Sequence, residues 1–342
     1  MQPAEDITIY MSAFEKELGR ITADKISPEP YCKKYLSHLL AHKKYYLAIY
    51  ADVLQKLLEN SEKNKDNITI VDYGSGNGLL GIFAKFCGFK KVILNDIDAK
   101  FIAASRELSK QLNIYPDAYI TGDIESLKLY CKTEIPDAII GTDVIEHIYS
   151  LEEFLFGLRD INPFIVSVFT TASNPLNYFK VRSLKKAQVK DELKGGEPGD
   201  HALFGETALI PFITMREQII KKNFHSLSIH DVTSLTVATR GMKEADILKT
   251  VENYLLTKQL PIPAEGSNTC NPLNGSWTER ILPMDTYISL YRAAGFTCKI
   301  YAGFYNEYEG DFPSFVKKLL NVLIAVIGKR ISPYIVIVGG RN

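Results

Sequence analysis

Val71-Asp-Tyr-Gly-Ser-Gly-Asn-Gly-Leu-Leu-Gly81 sets a run of glycines directly behind an acidic residue. Glycine accepts positive φ and lets a ligand approach the backbone. A helix starting behind such a loop offers free N–H groups. Taken alone, Gly76-x-Gly78-x-x-Gly81 is the dinucleotide fingerprint, a loose signal. That pattern needs an acid about 20 positions on to hold ribose hydroxyls. Asp96 stands there, with Asp98 as the neighbouring alternative. A purely structural glycine turn would not require the acid.

Asp143-Val-Ile-Glu146-His147 is the second cluster. Two carboxylates and an imidazole this close can converge on a divalent cation if a turn folds them inward. Without a metal, His147 is the best general base of the segment. The plainer alternative is that Glu146 and His147 bond backbone groups and shape a loop.

These residues need elements to place them. Residues 31–59 read as one amphipathic helix, with Leu36, Leu39, Leu40, Leu47, Tyr50, Val53, Leu54, Leu57 and Leu58 mostly at three- and four-residue steps. Ile68–Asp72, Lys91–Asn95, Ala118–Thr121, Ala138–Gly141 and Phe164–Phe169 read as strands. Helices are expected over Lys100–Leu112 and Ser150–Leu158, the latter with Ser150 and Glu153 spaced as a capping box. Strands alternating with helices predict a parallel sheet covered on both faces.

The rhythm breaks after Phe169. Residues 172–283 hold two loop-like stretches, Lys194–Asp200 and Pro261–Ser276, between helical patterns. One pattern starts at Thr214, with Glu217 completing a capping box, and another covers Lys243–Leu256. The region reads as an inserted substrate-side lobe, not an independent domain. The rhythm returns with a helix over Met284–Ala294 ended by Gly295, a strand at Phe296–Tyr301, a helix at Phe315–Ile327 and a strand at Tyr334–Val338. The expected division is 1–67 as an N-terminal helical cap, 68–171 as an α/β core, 172–283 as the inserted lobe and 284–342 as the rest of the core.

Three further features separate the cofactors that suit a glycine loop. Asp72, just before the glycines, would repel a pyrophosphate but suits the ammonium and sulfonium of S-adenosylmethionine. Gly122-Asp123-Ile124 follows the third strand, in position to bond an adenine amino group. The chain then ends helix, Ala293-Ala-Gly-Phe296, strand, helix, strand. In this combination the sequence resembles the class I S-adenosylmethionine-dependent methyltransferases, over about residues 68–171 and 284–339. The resemblance implies an α/β, Rossmann-like, seven-stranded, mostly parallel sheet with an antiparallel last strand. An N-terminal helix and a large helical insertion before the sixth strand would be added to it. It implies methionine and adenosine contacts at Asp72, Gly74, Ser75, Gly76 and Asn77, ribose contacts at Asp96, and adenine contacts at Ile97, Asp123 and Ile124. It also gives the N-terminal segment a lid role, with Tyr45 or Tyr46 lining the site.

The second cluster is similar to the Glu-x-x-Glu-His of the ubiquinone-biosynthesis O-methyltransferases and the small-RNA 2′-O-methyltransferases, where it holds a magnesium-like ion. Asp143 departs from that pattern by one methylene. The RNA enzymes add a histidine in an Asp-His-x-Phe setting, which Gly199-Asp200-His201-Ala202-Leu203-Phe204 matches in part. The implied metal ligands are Asp143, Glu146, His147 and His201, for magnesium, manganese, iron or zinc, with His147 and Asp143 catalytic.

Composition bounds the rest. Lys plus Arg and Asp plus Glu are both 40, so no strongly basic nucleic-acid surface is expected. Five scattered cysteines without a C-x-x-C argue against a disulfide framework or zinc ribbon, and for a reducing cytosol. The most apolar stretch, Leu319–Ile327, is too short to span a bilayer. No secretory signal is visible, so a cytoplasmic protein is expected.

The leading expectation is O-methylation of a hydroxyl-rich small molecule, saccharide or glycolipid, either assisted by a metal or with His147 as the base. An RNA 2′-O-methyltransferase would need a basic stripe on the insertion, which the scattered lysines do not clearly give. A dinucleotide-dependent oxidoreductase and a non-catalytic partner subunit are weaker alternatives. Tyr31, Tyr35, Tyr45, Tyr46 and Tyr50 read mainly as packing, the His38/His42 pair as a solvated helix face, and Lys185–Lys194 as another. Trp277, beside Glu279 and Arg280, suits either stacking on a sugar or base, or packing.

Overall fold

A computed structural model describes residues 5–195, 210–308 and 312–341. The chain opens with helix α1 (Met11–Leu18), whose Phe14 lies against Phe83 and Phe86 with ring centroids 5.2 and 5.1 Å away. Two helices follow, α2 (Pro30–Ala41) and α3 (Lys43–Glu59), where the periodicity predicts one. His42 leaves helical geometry between them, at φ −112° and ψ 29°. A single-residue break does not disturb an apolar period, so Leu36 and Leu39 before it and Leu47 and Leu54 after it are all buried.

The α/β alternation then runs β1 (Thr69–Tyr73), α4 (Leu79–Phe86), β2 (Lys91–Asp96), α5 (Ala99–Leu112), β3 (Ala118–Thr121), α6 (Ile124–Cys131), β4 (Ala138–Thr142), α7 (Leu151–Ile161) and β5 (Val166–Thr171). Among the described residues, four helices follow: α8 (Tyr178–Leu193), α9 (Phe212–Asn223), α10 (Ile229–Ala238) and α11 (Glu244–Thr257). The alternation returns with α12 (Met284–Ala293), β6 (Phe296–Ala302), α13 (Phe312–Ile327) and β7 (Ile335–Arg341).

The strands form one seven-stranded sheet in the order β3-β2-β1-β4-β5-β7-β6. Strands β1 to β5 are parallel, and β7 runs antiparallel between β5 and β6. Ile70 and Val71 of β1 and Ile139 and Ile140 of β4 are fully buried, as strands covered on both faces must be. Strand order reverses direction between β1 and β4. In such sheets, ligands bind outside the carboxyl ends at that switch point.

The residues divide into two compact units: 1–145 with 151–172 and 283–342, and 146–150 with 173–282. The first holds the sheet. The second has an apolar centre made of Ile220, Leu235, Ile247 and Val251 from α9, α10 and α11. Helix α9 starts at Phe212, after Pro211, so Thr214 lies inside its first turn and is not its cap. Pro211 takes the N-cap position, and its ring restricts φ there to −51°.

The mixed-charge stretch of α8 is not wholly solvated. Gln188, Asp191 and Glu192 are buried on one side of it because each finds partners inside the second unit. Glu192 accepts two hydrogen bonds from the buried Arg216 guanidinium, at 3.0 and 2.5 Å, and one from Thr269 Oγ1 at 2.8 Å. Thr278 Oγ1 donates to Asp191 at 2.8 Å.

Candidate active site

The loop after β1 is held by its own acids. Asp72 Oδ2 accepts the Gly81 N–H at 2.8 Å, tying the strand end to the first turn of α4. Burial pushes its carboxyl up to about 8, against the lowering effect of the Gly81 bond, and the nearby Asp96 charge adds to the rise. Asp96 Oδ2 accepts the Gly76 N–H at 2.8 Å, and Oδ1 accepts the Asp98 N–H at 2.9 Å. Burial raises Asp96 to about 6. Asp98 instead caps α5 by accepting the Lys100 N–H at 2.8 Å. Of the two candidate ribose acids, Asp96 is the one bonded to the glycine loop.

The glycines have different reasons. A Cβ on Gly74 (φ +66°) would lie 2.3 Å from Val144 Cγ2, one on Gly78 (φ +80°) 2.7 Å from Leu94 Cδ1, and one on Gly81 2.2 Å from Leu94 Cδ2. The chain's own packing requires these three. Gly76 (φ +53°) differs, because its Cβ would first meet the Tyr35 ring, at 3.1 Å.

Polar capacity remains around this loop. Ser75 Oγ and Asn77 Oδ1 are buried and without a hydrogen-bond partner, while Asn77 Nδ2 donates to the Cys32 carbonyl at 3.2 Å. Asn95 Nδ2 donates to the carbonyls of Ile120 and Gly122, at 3.3 and 3.0 Å, tying the β2 end to the turn after β3. There Asp123 caps α6, accepting the N–H groups of Glu125 and Ser126 at 3.2 Å, and Ile124 begins the helix half-buried. Ile97 is 57% exposed beside Asp96. Two buried carboxyls, partnerless neutral acceptors and an exposed apolar side chain fit a cationic ligand with hydroxyls and a flat apolar part.

Helices α2 and α3 bring tyrosines to the same unit. Tyr31 and Tyr35 both meet the Phe101 ring edge-on, at 5.7 Å. Tyr45 donates to the Phe304 carbonyl at 3.1 Å, and His38 Nε2 bonds the Tyr46 hydroxyl at 2.9 Å. Asp143 ends β4 with φ +52°, a conformation that β-carbon sterics disfavour, and its N–H donates to the Thr170 carbonyl at 3.1 Å. Burial first, then the Asp143 charge, raises the phenols of Tyr35, Tyr45 and Tyr46, the last to about 12.

The second unit assembles a different cluster from the expected one. Glu146, His147 and Glu279 bring candidate ligand atoms within 4.8 Å of one another. His147 Nδ1 lies 2.7 Å from the Trp277 carbonyl, and its Nε2 lies 3.9 Å from Glu279 Oε1. Glu279 has φ +47° and accepts from Ser173 Oγ at 3.2 Å. Asp143 is not a member of this group, and His201 lies outside the described residues. Glu279 is the residue the sequence reading passed over as a ligand. The backbone carries it in: Trp277 N–H donates to the His147 carbonyl at 3.3 Å and Arg280 N–H to the Glu146 carbonyl at 3.2 Å. Gln188 Nε2 then holds the Glu279 carbonyl at 2.8 Å. Trp277 stacks on Tyr149 at 6.2 Å and carries the Arg280 guanidinium at 4.2 Å, so within this unit its faces are used for packing.

Along α8, Tyr178, Val181 and Val189 line an open, largely apolar cleft of about 800 Å³, together with Arg182 and four lysines.

No protein-family model matches the chain. It is 33% identical over 88 residues to the ribosomal protein L11 methyltransferase of Acinetobacter baumannii strain SDF, which is 26% of this chain. The chain therefore spans 28% of the length of that relative. Among solved structures, it resembles a Listeria monocytogenes protein described as an S-adenosylmethionine-dependent methyltransferase, with 13% identity, 86% of this chain and 98% of that one covered, and a TM-score of 0.45. It also resembles the CurJ carbon methyltransferase (14% identity, 87% and 54% covered, TM-score 0.40). A third is the Synechocystis PCC 6803 magnesium protoporphyrin IX methyltransferase with bound SAH (11% identity, 98% and 97% covered, TM-score 0.39).

Proposed function

We propose that this chain is an S-adenosylmethionine-dependent methyltransferase. The observation that carries the reading is the pair of buried carboxyls, Asp72 and Asp96, that brace the glycine loop at the sheet's switch point. The Asp96 charge raises the affinity of Asp72 for protons, so the loop favours a ligand that brings positive charge. A dinucleotide brings a pyrophosphate instead, which argues against the oxidoreductase alternative. When bound, S-adenosylmethionine supplies a methyl group open to nucleophilic attack. Asn77 Oδ1 and Ser75 Oγ would accept from its ammonium, Asp96 would hold the ribose hydroxyls, and Ile97, Asp123 and Ile124 would frame the adenine.

The finer reading is O-methylation, with a hydroxyl-rich small molecule, saccharide or glycolipid as acceptor. An alcohol is a poor nucleophile until a base takes its proton. His147 Nε2 is the base we assign, with Glu279 placed to stabilise the imidazolium that forms.

Two observations favour variants of this reading. The grouping of Glu146, His147 and Glu279 favours a divalent ion that lowers the acceptor's pKa. The cations of α8 favour an acceptor bearing phosphate, including an RNA end. Equilibrium dialysis with labelled S-adenosylmethionine and with a nicotinamide dinucleotide tests the core proposal, and retention of the dinucleotide alone overturns it. Methyl transfer measured with and without chelator then separates base from metal.

A further inference from the structure

Helix α13 carries its apolar face outward. Phe315, Leu319, Val322 and Val326 recur at three- and four-residue steps, which aligns them along one side. They are 59%, 52%, 67% and 84% exposed. Val316, Leu323 and Ile327 widen the stripe and are exposed as well. The side that packs is the more polar one. Ser314 is buried. Asn321 Oδ1 accepts the Tyr305 N–H at 2.7 Å, and its Nδ2 donates to the Tyr305 carbonyl at 3.1 Å. A helix that only covers its own sheet is arranged the other way round. Single exposed apolar residues are ordinary, whereas a contiguous stripe marks an interaction surface.

Within α13 and the turn that follows it the charge has one sign, while Glu307, before the helix, accepts from Asn321 Nδ2 at 2.8 Å. Residues 312–330 contain Lys317, Lys318, Lys329 and Arg330 and no Asp or Glu, in a chain whose cations and anions balance at 40 each. Lys318 and Arg330 are exposed, and Lys329 bonds the Ile300 carbonyl at 3.0 Å.

We propose that α13 is an interfacial helix that lays this stripe into the surface of an anionic phospholipid bilayer. An apolar face with cations at its margins is what such a surface takes up, the stripe entering the acyl boundary and the cations meeting headgroups. The helix lies on the bilayer and does not cross it. It has 16 residues, against about 20 for a span. Among the described residues no helix is long and apolar enough to cross a membrane. A second copy fits this face less well. A two-fold pairing through α13 would set its four cations against the same four cations of the copy.

Flotation of the full chain with vesicles tests this. Vesicles of phosphatidylcholine with phosphatidylglycerol are expected to carry the protein upward, pure phosphatidylcholine much less, and added salt to weaken the effect. Val322→Asp and Val326→Asp each remove binding, at positions exposed enough that thermal unfolding stays unchanged. Lys318→Gln with Arg330→Gln weakens binding by roughly 30-fold. Absence of flotation on anionic vesicles at low salt overturns the proposal, as does flotation unchanged in both aspartate variants. A dimer that Val326→Asp dissociates, without flotation, assigns the face to a second copy and likewise overturns it.

Discussion

His147 donates from Nδ1 to the carbonyl oxygen of Trp277 at 2.7 Å, and that bond decides which ring nitrogen can do chemistry. A carbonyl only accepts, so Nδ1 carries the proton and Nε2 keeps its lone pair in the neutral ring. The same choice suits a general base and a metal ligand. His147→Ala is expected to lower kcat by roughly 10²–10⁴-fold, the usual scale for a lost acid–base group. Affinity for S-adenosylmethionine should stay as it was, since the expected cofactor contacts lie at the sheet. Calorimetric cofactor titration alongside single-turnover transfer checks both halves. Transfer unchanged in His147→Ala would remove His147 from the assigned role.

Asp72 makes a pH prediction. Burial carries its carboxyl from 3.8 to about 8. The folded value is above the unfolded one, so between those limits the folded protein holds a proton the unfolded chain has released. Stability is then fully present at low pH and falls as pH rises toward 8. Asp96, at about 6, adds to the same trend at its lower end. Asp72→Asn keeps an acceptor for the Gly81 N–H and discards the charge. It should flatten the profile and raise stability at pH 8 by a few kcal/mol. Urea midpoints at several pH values decide the matter, and parallel profiles for both proteins would reject it. A cationic cofactor should release the Asp72 proton, so binding tightens with pH in the wild type and much less in Asp72→Asn.

The parts of this fold that are repetitive in chemistry were open to sequence reading. The run from Thr69 to Thr171 alternates β-rich and amphipathic segments, and each strand was placed to within a few residues. The spacing from Gly76 to Asp96 translated directly into a hydrogen bond, because a βαβ unit fixes that distance. Other features left no local trace. The break at His42 is one residue long and neutral to periodicity. The buried face of α8 adds to Leu184 the polar Gln188, Asp191 and Glu192, which look solvated until Arg216 and Thr278 are folded against them. Glu279 joins His147 across 132 residues through backbone bonds, and no spacing rule reaches that far. Positive φ at Asp143 and Glu279 is equally silent, since neither is glycine.

The glycine loop separates packing from ligand approach. Gly78→Ala places a Cβ 2.7 Å from Leu94 and 2.8 Å from Ser105, at φ +80°, so the neighbours must shift. A cost of about 2–4 kcal/mol is expected from overpacking and left-handed strain together. Gly76→Ala brings a Cβ to 3.1 Å from the Tyr35 ring, a tight contact that a small shift of that side chain relieves, and should cost about 1 kcal/mol through its φ. Its effect on cofactor affinity should be the larger one, tenfold or more. Thermal unfolding and cofactor titration of the two variants test the contrast. Equal losses of stability would show that Gly76 is also a packing glycine.

Arg216 and Glu192 give the second unit a bidentate buried ion pair, with Thr269 Oγ1 donating to the same carboxylate. The pair links α8 to α9, and Gln188, one turn earlier on α8, holds the Glu279 carbonyl. Breaking one partner leaves a desolvated charge, which typically costs 3–5 kcal/mol. Arg216→Met should therefore lower the unfolding temperature markedly and weaken transfer, because α8, whose Gln188 holds Glu279, loses its tie to α9. Replacing both, as Arg216→Met with Glu192→Leu, removes the stranded carboxylate and should recover most of the stability. Activity should return with it if the helix alone positions Glu279 through Gln188. Gln188→Leu then gives the complementary outcome, with stability reduced by about 1–3 kcal/mol for the unpaired groups and a fall in kcat that the double variant does not show.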